Sequence, residues 1–422
     1  MDSSYIRRIS DDKLILLLQA KGAVLIEGPK WCGKTRSAEE IAKSVLYMQD
    51  PDTSKANILT AKTKPSLLLA GETPRLLDEW QVAPELWNAV RFAVDKRHAN
   101  GQFILTGSVI PSRTDDMHTG TGRIARMKMR TMSLFETQDS TGEISLQALF
   151  DGKTNLEGKS SLSVEQLAFI INRGGWPSVA REKNEKIALA IAEDYVEAIA
   201  NEDISKADGT WKNPDRVKNL LRSLSRNISS EAKTTTILRD LAENDENLSQ
   251  VTIDQYINAL RKIFVVEDLP AWNVSLRSKS AIRTTAKRHF TDPSIAAASL
   301  RATPKRLLSD FKTFGFLFES LCIRDLRIYA QSIDGSVYHY RDKSGLEIDA
   351  IIQLADGRWG AVEIKMGAGE IEDASENLLK LHRKVDTEKA NDPSFLMVLT
   401  GTEYAFQMEN GVWVVPLGCL RN

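Results

Sequence analysis

Apolar residues recur along this chain in two spacings. Short unbroken runs at residues 22–27, at Leu76 and Leu77, and through residues 102–108 have the length of buried strands. Residues 35–47 carry their apolar positions at helical spacing, so a strand, loop and helix are predicted in succession, opening an alternating α/β segment. The middle of the chain is helical in period, through residues 164–171 and 187–199, which predicts a small lid-like subdomain followed by a long connecting helix. A short helix at 237–242, a polar turn at 243–250, an amphipathic helix at 251–264 and an extended stretch at 265–272 follow. Beyond an amphipathic helix at 314–326, residues 337–353 and 359–365 alternate as strands around a turn at Asp356 and Gly357, and further strands are predicted at 395–400 and 412–416.

The loop after the first predicted strand reads Gly28, Pro29, Lys30, Trp31, Cys32, Gly33, Lys34, Thr35, a match to the G-x-x-x-x-G-K-[ST] phosphate loop in the strand–loop–helix setting it requires. Glycines let backbone N–H groups turn toward phosphate oxygens, and the helix N-terminus adds its positive dipole end. Lys34 is expected to reach the terminal phosphates and the Thr35 hydroxyl to meet Mg²⁺, so the expected ligand is ATP with magnesium. The run ending at Asp78 and Glu79 supplies the second half: Asp78 to hold the magnesium through its water shell, Glu79 to polarise the attacking water. Thr106 and Ser108, closing the next strand, either sense the γ-phosphate or cap the following turn.

These segments occur in one order with Gly122-Arg123, Met132-Ser-Leu-Phe-Glu136, Gly174-Gly-Trp-Pro177 and Gly315-Phe-Leu-Phe-Glu319. Over nearly its whole length the chain resembles the prokaryotic AAA-type ATPases whose C-terminal half is a domain of unknown function. The resemblance implies that Arg123 is an arginine finger entering a neighbour's site, and hence a homo-oligomer; the competing reading puts Arg123, Arg126, Lys128 and Arg130 on the solvated face of a strand. Trp31 and Cys32 depart from the smaller residues usual in such loops.

Helix, turn, helix and extended segment at 237–272 match a winged helix-turn-helix, with Thr252, Gln255, Asn258 and Arg261 exposed on the second helix; such a module either contacts DNA or docks protein. Between Trp272 and Leu308, Arg277, Lys279, Arg283, Lys287, Arg288, Arg301, Lys305 and Arg306 face Asp292 alone, a basic stretch suited either to phosphates or to an acidic partner. In the last alternating segment Asp349 precedes Glu363 and Lys365, which share a face of one strand. Two carboxylates holding Mg²⁺ beside a lysine resemble the PD-(D/E)XK nucleases, in which a metal-activated water attacks a phosphodiester. Glu319 stands where that fold often adds a further acid, or else caps or pairs structurally. Glu157-Gly-Lys159 and Glu231-Ala-Lys233 repeat the tripeptide without apolar strand context.

The expected architecture is therefore an N-terminal P-loop AAA-type ATPase core at 1–145, a helical lid and connector at 146–210, a winged helix-turn-helix at 211–280 and a restriction-endonuclease-like α/β domain at 281–422. The expected function is Mg²⁺-dependent ATP hydrolysis coupled to DNA or RNA binding or cleavage; the alternative is an ATP-switched regulator or scaffold whose nuclease-like fold is silent. Length and composition agree: 422 residues, 42% hydrophobic and 27% charged, suit about three globular domains. The longest apolar stretch, residues 14–18, is too short for a bilayer, and a secretory signal is not read at the N-terminus. Three unpaired cysteines and five scattered histidines argue against disulfides and structural zinc, so a cytoplasmic address is expected. The net charge of −1 gives no overall pull toward nucleic acid.

Overall fold

A computed structural model describes residues 5–109, 119–154, 156–242, 248–273, 285–385 and 391–422. The chain forms two compact units, the first from Met1–Thr131 with Glu202–Trp211 and Asn258–Val265, the second from Met132–Asn201, Lys212–Ile257 and Val266–Asn422.

The first unit runs α1 (Ile9–Ala20), β1 (Ala23–Glu27), α2 (Lys34–Glu39), β2 (Ser44–Tyr47), α3 (Ser54–Thr63), β3 (Arg75–Asp78), α4 (Glu85–Arg97), β4 (Phe103–Gly107) and β5 (Ile124–Lys128). Among the described residues its strands form one parallel sheet in the order β2-β3-β4-β1-β5. The unbroken apolar run of β1 has a direct cause, because the strand is covered on both faces. Val24 and Ile26 pack with Leu14, Cys32, Ala38, Ile104 and Met127, while Ala23 and Leu25 pack with Leu77, Trp80, Trp87, Phe103 and Leu105. The helix expected through residue 47 stops at Glu39, and Ser44–Tyr47 pairs in parallel with Arg75–Asp78. Val45 and Leu46 satisfy a strand's pattern as well as a helix's, and β3 offers an edge to pair with.

The second unit holds β6 (Ile144–Ser145), α5 (Leu146–Phe150), β7 (Gly158–Lys159), α6 (Val164–Arg173) and α7 (Glu185–Ala198). After α8 (Ile204–Lys206), which belongs to the first unit, come α9 (Pro214–Arg226), α10 (Thr234–Ala242), α11 (Gln250–Lys262), whose residues from Asn258 onward also belong to the first unit, α12 (Pro293–Leu300), α13 (Pro304–Ser309) and α14 (Phe311–Ser332). Then follow β8 (Gly335–Arg341), β9 (Glu347–Leu354), β10 (Trp359–Lys365), α15 (Ile371–Lys384), β11 (Phe395–Thr400), β12 (Tyr404–Gln407), β13 (Trp413–Pro416) and β14 (Leu420–Arg421). The described strands build a mixed sheet in the order β7-β12-β13-β11-β10-β9-β8. The boundary expected at 145 differs from the observed one: the first unit's N-terminal segment ends at Thr131, while β6 pairs with β14 in a separate two-stranded sheet and β7 pairs with β12 at the edge of the seven-stranded sheet. Gly158-Lys159 is thus in a strand after all, on the edge of that sheet.

A buried charge cluster explains two of the sequence segments singled out above. The Arg324 guanidinium on α14 lies 3.1 Å from Asp292 and 2.7 Å from Asp325, with all three side chains essentially inaccessible. Asp325 accepts the Leu134 N–H at 2.9 Å, and Asp292 accepts the Gly175 N–H at 3.0 Å and caps α12 through Ser294. Met132 N–H donates to the Gly175 carbonyl, and a Cβ on Gly175 would fall 2.2 Å from the Met132 carbonyl oxygen. Residues 132–136 and 174–177 are therefore structural cement around α14.

Gln255, Asn258 and Arg261 are exposed on α11 as expected, and Thr252 is half-buried. The extended segment after α11 forms isolated bridges, Val266 to Phe290 and Leu269 to Lys287, in place of a continuous strand. Residues 243–247 of the expected turn, and Arg277, Lys279 and Arg283 of the basic stretch, lie outside the described residues. Two members of that stretch point inward: Arg288 pairs with Asp268 at 2.9 Å, and Lys287 with Glu319 and Asp349. No helix among the described residues is long and apolar enough to cross a membrane.

Candidate functional site

Three strand ends converge in the first unit. Because β4 lies between β1 and β3, the loop after Glu27, the carboxylate of Asp78 and the hydroxyl of Thr106 meet at the carboxyl edge of the sheet, where open α/β sheets hold their ligands. Thr35 Oγ1 and Thr106 Oγ1 each donate to Asp78 Oδ1 at 2.6 Å. Lys34 is buried and donates to the carbonyls of Gly28 and Pro29 at 2.9 and 2.8 Å, lying back along the loop it closes. Gly33 caps α2 at φ 99°. At Gly28 a Cβ would stand 2.1 Å from the Met129 carbonyl oxygen, so backbone proximity to the β5 extension demands glycine.

Glu79 follows in the left-handed region at φ 53°, which swings its carboxylate out of line with the strand. Its N–H donates to Thr106 Oγ1 at 3.2 Å, and its Oε2 accepts from Ser108 Oγ at 3.3 Å and from the Gln81 amide. Gln81 is a contributor that the sequence reading missed; only its place two residues beyond Glu79 could have suggested it. Arg8 was missed as well. It is buried and donates to the Cys32 carbonyl at 2.7 Å and to the carbonyls of Arg130 and Thr131 at 2.9 and 3.2 Å, tying α1's approach to the loop. Within the loop, Lys30 pairs with Asp203, Trp31 is exposed at φ 64°, and the buried Cys32 thiol faces the Met129 carbonyl at 3.6 Å.

The Thr35 hydroxyl and the Asp78 carboxylate, 2.6 Å apart beside the loop, are oxygen donors of the kind Mg²⁺ takes alongside phosphates and water, so this pair fits the ion. Arg123 stands apart from them. It precedes β5 at the sheet's amino edge, pairs with Asp95 at 2.8 Å and is half-exposed, so it cannot meet the loop of its own chain.

The second unit brings together the other predicted set. Asp349 on β9 meets Glu363 and Lys365 on the antiparallel neighbour β10, and Glu319 approaches from α14. Lys365 Nζ lies 2.9 Å from Glu363 Oε2 and 3.4 Å from Asp349 Oδ2, the latter also accepting the Ile364 N–H at 2.9 Å. Lys287, read from sequence as part of a surface patch, stands inside the cluster, 3.1 Å from Glu319 Oε1 and 3.3 Å from Asp349 Oδ1. Burial, then the charge of Asp349, pushes Glu319 up to about 8. The same two causes, in the same order, raise Glu363. Burial resists ionisation of Asp349, but Lys287 and Lys365 outweigh it and hold Asp349 below the usual carboxylate range. Burial likewise works against the charge on Lys287, and Glu319 and Asp349 override it. Among the described residues no group of three or more His, Cys, Asp and Glu side chains is arranged to hold a metal ion. The oxygens expected to ligate Mg²⁺ face ammonium groups, so this set does not fit the ion.

Comparison with known proteins agrees with the first site. Residues 20–138 match the family model described as an AAA domain, which together with the loop geometry supports ATP binding and hydrolysis. Residues 164–306 and 314–420 match two families described as domains of unknown function, DUF8612 and DUF4143. Uncharacterised proteins of Mycobacterium tuberculosis and Mycobacterium bovis are each 22% identical over 360 residues, 85% of this chain and 74% of theirs. The solved Walker-type ATPase PABY2304 of Pyrococcus abyssi aligns with a TM-score of 0.44 at 14% identity, over 71% of this chain and 97% of that one.

Proposed function

We propose that this protein is a Mg²⁺-dependent ATPase whose nucleotide state controls what the rest of the chain binds. The observation that carries the proposal is the pair of 2.6 Å hydrogen bonds joining Thr35 and Thr106 to one oxygen of Asp78, with Glu79 adjoining. Thr35 and Asp78 would hold a Mg²⁺ ion, which would supply neutralisation of phosphate charge. Backbone N–H groups between Gly28 and Thr35 receive phosphate oxygens, and Lys34 leaves the Gly28 and Pro29 carbonyls for the terminal phosphates. Glu79 takes the proton of a water whose oxygen bonds to the γ-phosphorus as the bond to the ADP oxygen breaks. Gln81 and Ser108 hold the Glu79 carboxylate in position, and Thr106 aligns both its backbone and Asp78. Arg123 serves a neighbouring copy's site. Lys34→Ala is expected to abolish ATP binding, whereas Glu79→Gln keeps binding and stops turnover; equal turnover in the Glu79 variant removes it from this role.

The nuclease reading has the strand pair of β9 and β10 in its favour, yet the lysine–carboxylate contacts support the regulator, in which the C-terminal fold binds without cutting. End-labelled single- and double-stranded DNA and RNA, incubated with Mg²⁺ or Mn²⁺ with and without ATP, test this. Cleavage that disappears in Asp349→Ala would restore the nuclease.

A further inference from the structure

We propose that Lys287 is the resident cation of the C-terminal acidic cleft, standing where a divalent ion would bridge Glu319 and Asp349 and keeping such an ion out. This inference is independent of the ATPase reading.

Four observations carry it. The Lys287 ammonium contacts carboxylates from two different elements, Glu319 of α14 at 3.1 Å and Asp349 of β9 at 3.3 Å, which is the bridging position between them. Its backbone is clamped, since Lys287 exchanges N–H and carbonyl hydrogen bonds with Leu269 at 2.9 and 2.8 Å. Its side chain is only 6% exposed, so leaving the cleft means breaking two hydrogen bonds from a packed interior. The remaining Asp349 oxygen is engaged by Ile364 N–H and Lys365, and Glu363 by Lys365. Three carboxyl groups thus face two ammonium groups.

A divalent ion needs oxygens at about 2.0–2.6 Å around itself, and an ammonium lodged between the same oxygens both fills that volume and repels the ion. Expelling the lysine while keeping it folded would bury an uncompensated charge or expose its packed stem. The internal pairing is therefore the cheaper state, and the cleft retains the strand arrangement of a nuclease with its cation position already taken.

The probe is Mn²⁺ alone, titrated without nucleotide into the full-length chain and followed by the EPR signal of the free ion. An Asp78→Asn background removes the contribution of the first site. That protein is expected to bind no Mn²⁺ saturably. Adding Lys287→Met, which keeps the length of the stem and deletes the charge, is expected to create one equivalent of binding, lost again on further addition of Asp349→Asn. The proposal is overturned if the Asp78→Asn protein already binds one Mn²⁺ that Asp349→Asn abolishes, or if folded Lys287→Met protein binds none. Should Lys287→Met fail to fold by circular dichroism, the comparison with and without Asp349→Asn still decides, because both proteins keep Lys287.

Discussion

Replacing Arg324 by Met tests the claim that residues 132–136 and 174–177 are held by charge rather than by catalysis. Arg324 lies between Asp292 and Asp325 at 3.1 and 2.7 Å with about 1% of its side chain exposed, and the two carboxylates receive the backbone N–H groups of Gly175 and Leu134. Burial resists ionisation of Asp292, but Arg324 and the hydrogen bonds from Ser294 and Gly175 outweigh it and keep its carboxyl below the ordinary range. Met preserves the stem's packing and removes the guanidinium, leaving two buried carboxylates uncompensated at a cost of about 3–5 kcal/mol. For a unit of this size the loss corresponds to a fall in Tm on the order of 10 °C. Differential scanning calorimetry should show the second unit's transition move by this amount, with ATP binding by the first unit retained as an internal control. Adding Asp292→Asn and Asp325→Asn should return most of the loss, since each Asn oxygen still accepts its backbone N–H while no unpaired charge remains. A shift below about 1 kcal/mol, or a triple variant no more stable than the single, refutes the reasoning.

Other outcomes follow from the same geometry. Arg123→Ala should lower turnover while leaving ATP affinity unchanged, and mixing it with inactive Glu79→Gln protein should restore activity if the arginine works across an interface; a strictly monomeric active enzyme would end that idea. Gly28→Ala drives a Cβ to 2.1 Å from the Met129 carbonyl, so ATP affinity in a binding titration should fall at least roughly tenfold and stability by about 1–3 kcal/mol. Glu319 titrates near 8 in the folded chain against 4.5 for a free carboxyl, so between those values the folded state holds the extra proton. Its contribution is full below pH 4.5 and shrinks by about 1.4 kcal/mol per unit as pH rises toward 8; Glu319→Gln should flatten that slope in denaturant titrations across the range.

What could be read from the residues in order was local. The phosphate loop, Asp78 and Glu79 announce themselves because strand, glycine and acid are contiguous, and Glu363 with Lys365 because alternation places them on one face. What failed depends on distance along the chain. Lys287 looks like one of a run of cations, yet its partners lie 32 and 62 positions away. Ile144 and Ser145 read as the end of the ATPase core because nothing nearby reveals their pairing with Leu420 and Arg421. Val45 and Leu46 fit two periods, and only the vacant edge of β3 selects the strand.

The pairing of β6 with β14 and of β7 with β12 also bears on how the second unit is made. During synthesis Ile144, Ser145, Gly158 and Lys159 emerge some 245–276 residues before the strands that cover them. Unpaired strand groups in that interval are a template for the wrong chain. The unit therefore cannot fold vectorially from its amino end, and closure of so distant a pairing places it among the slow-forming, aggregation-exposed topologies. Expression at reduced temperature or with a chaperone holdase should raise the yield of folded protein.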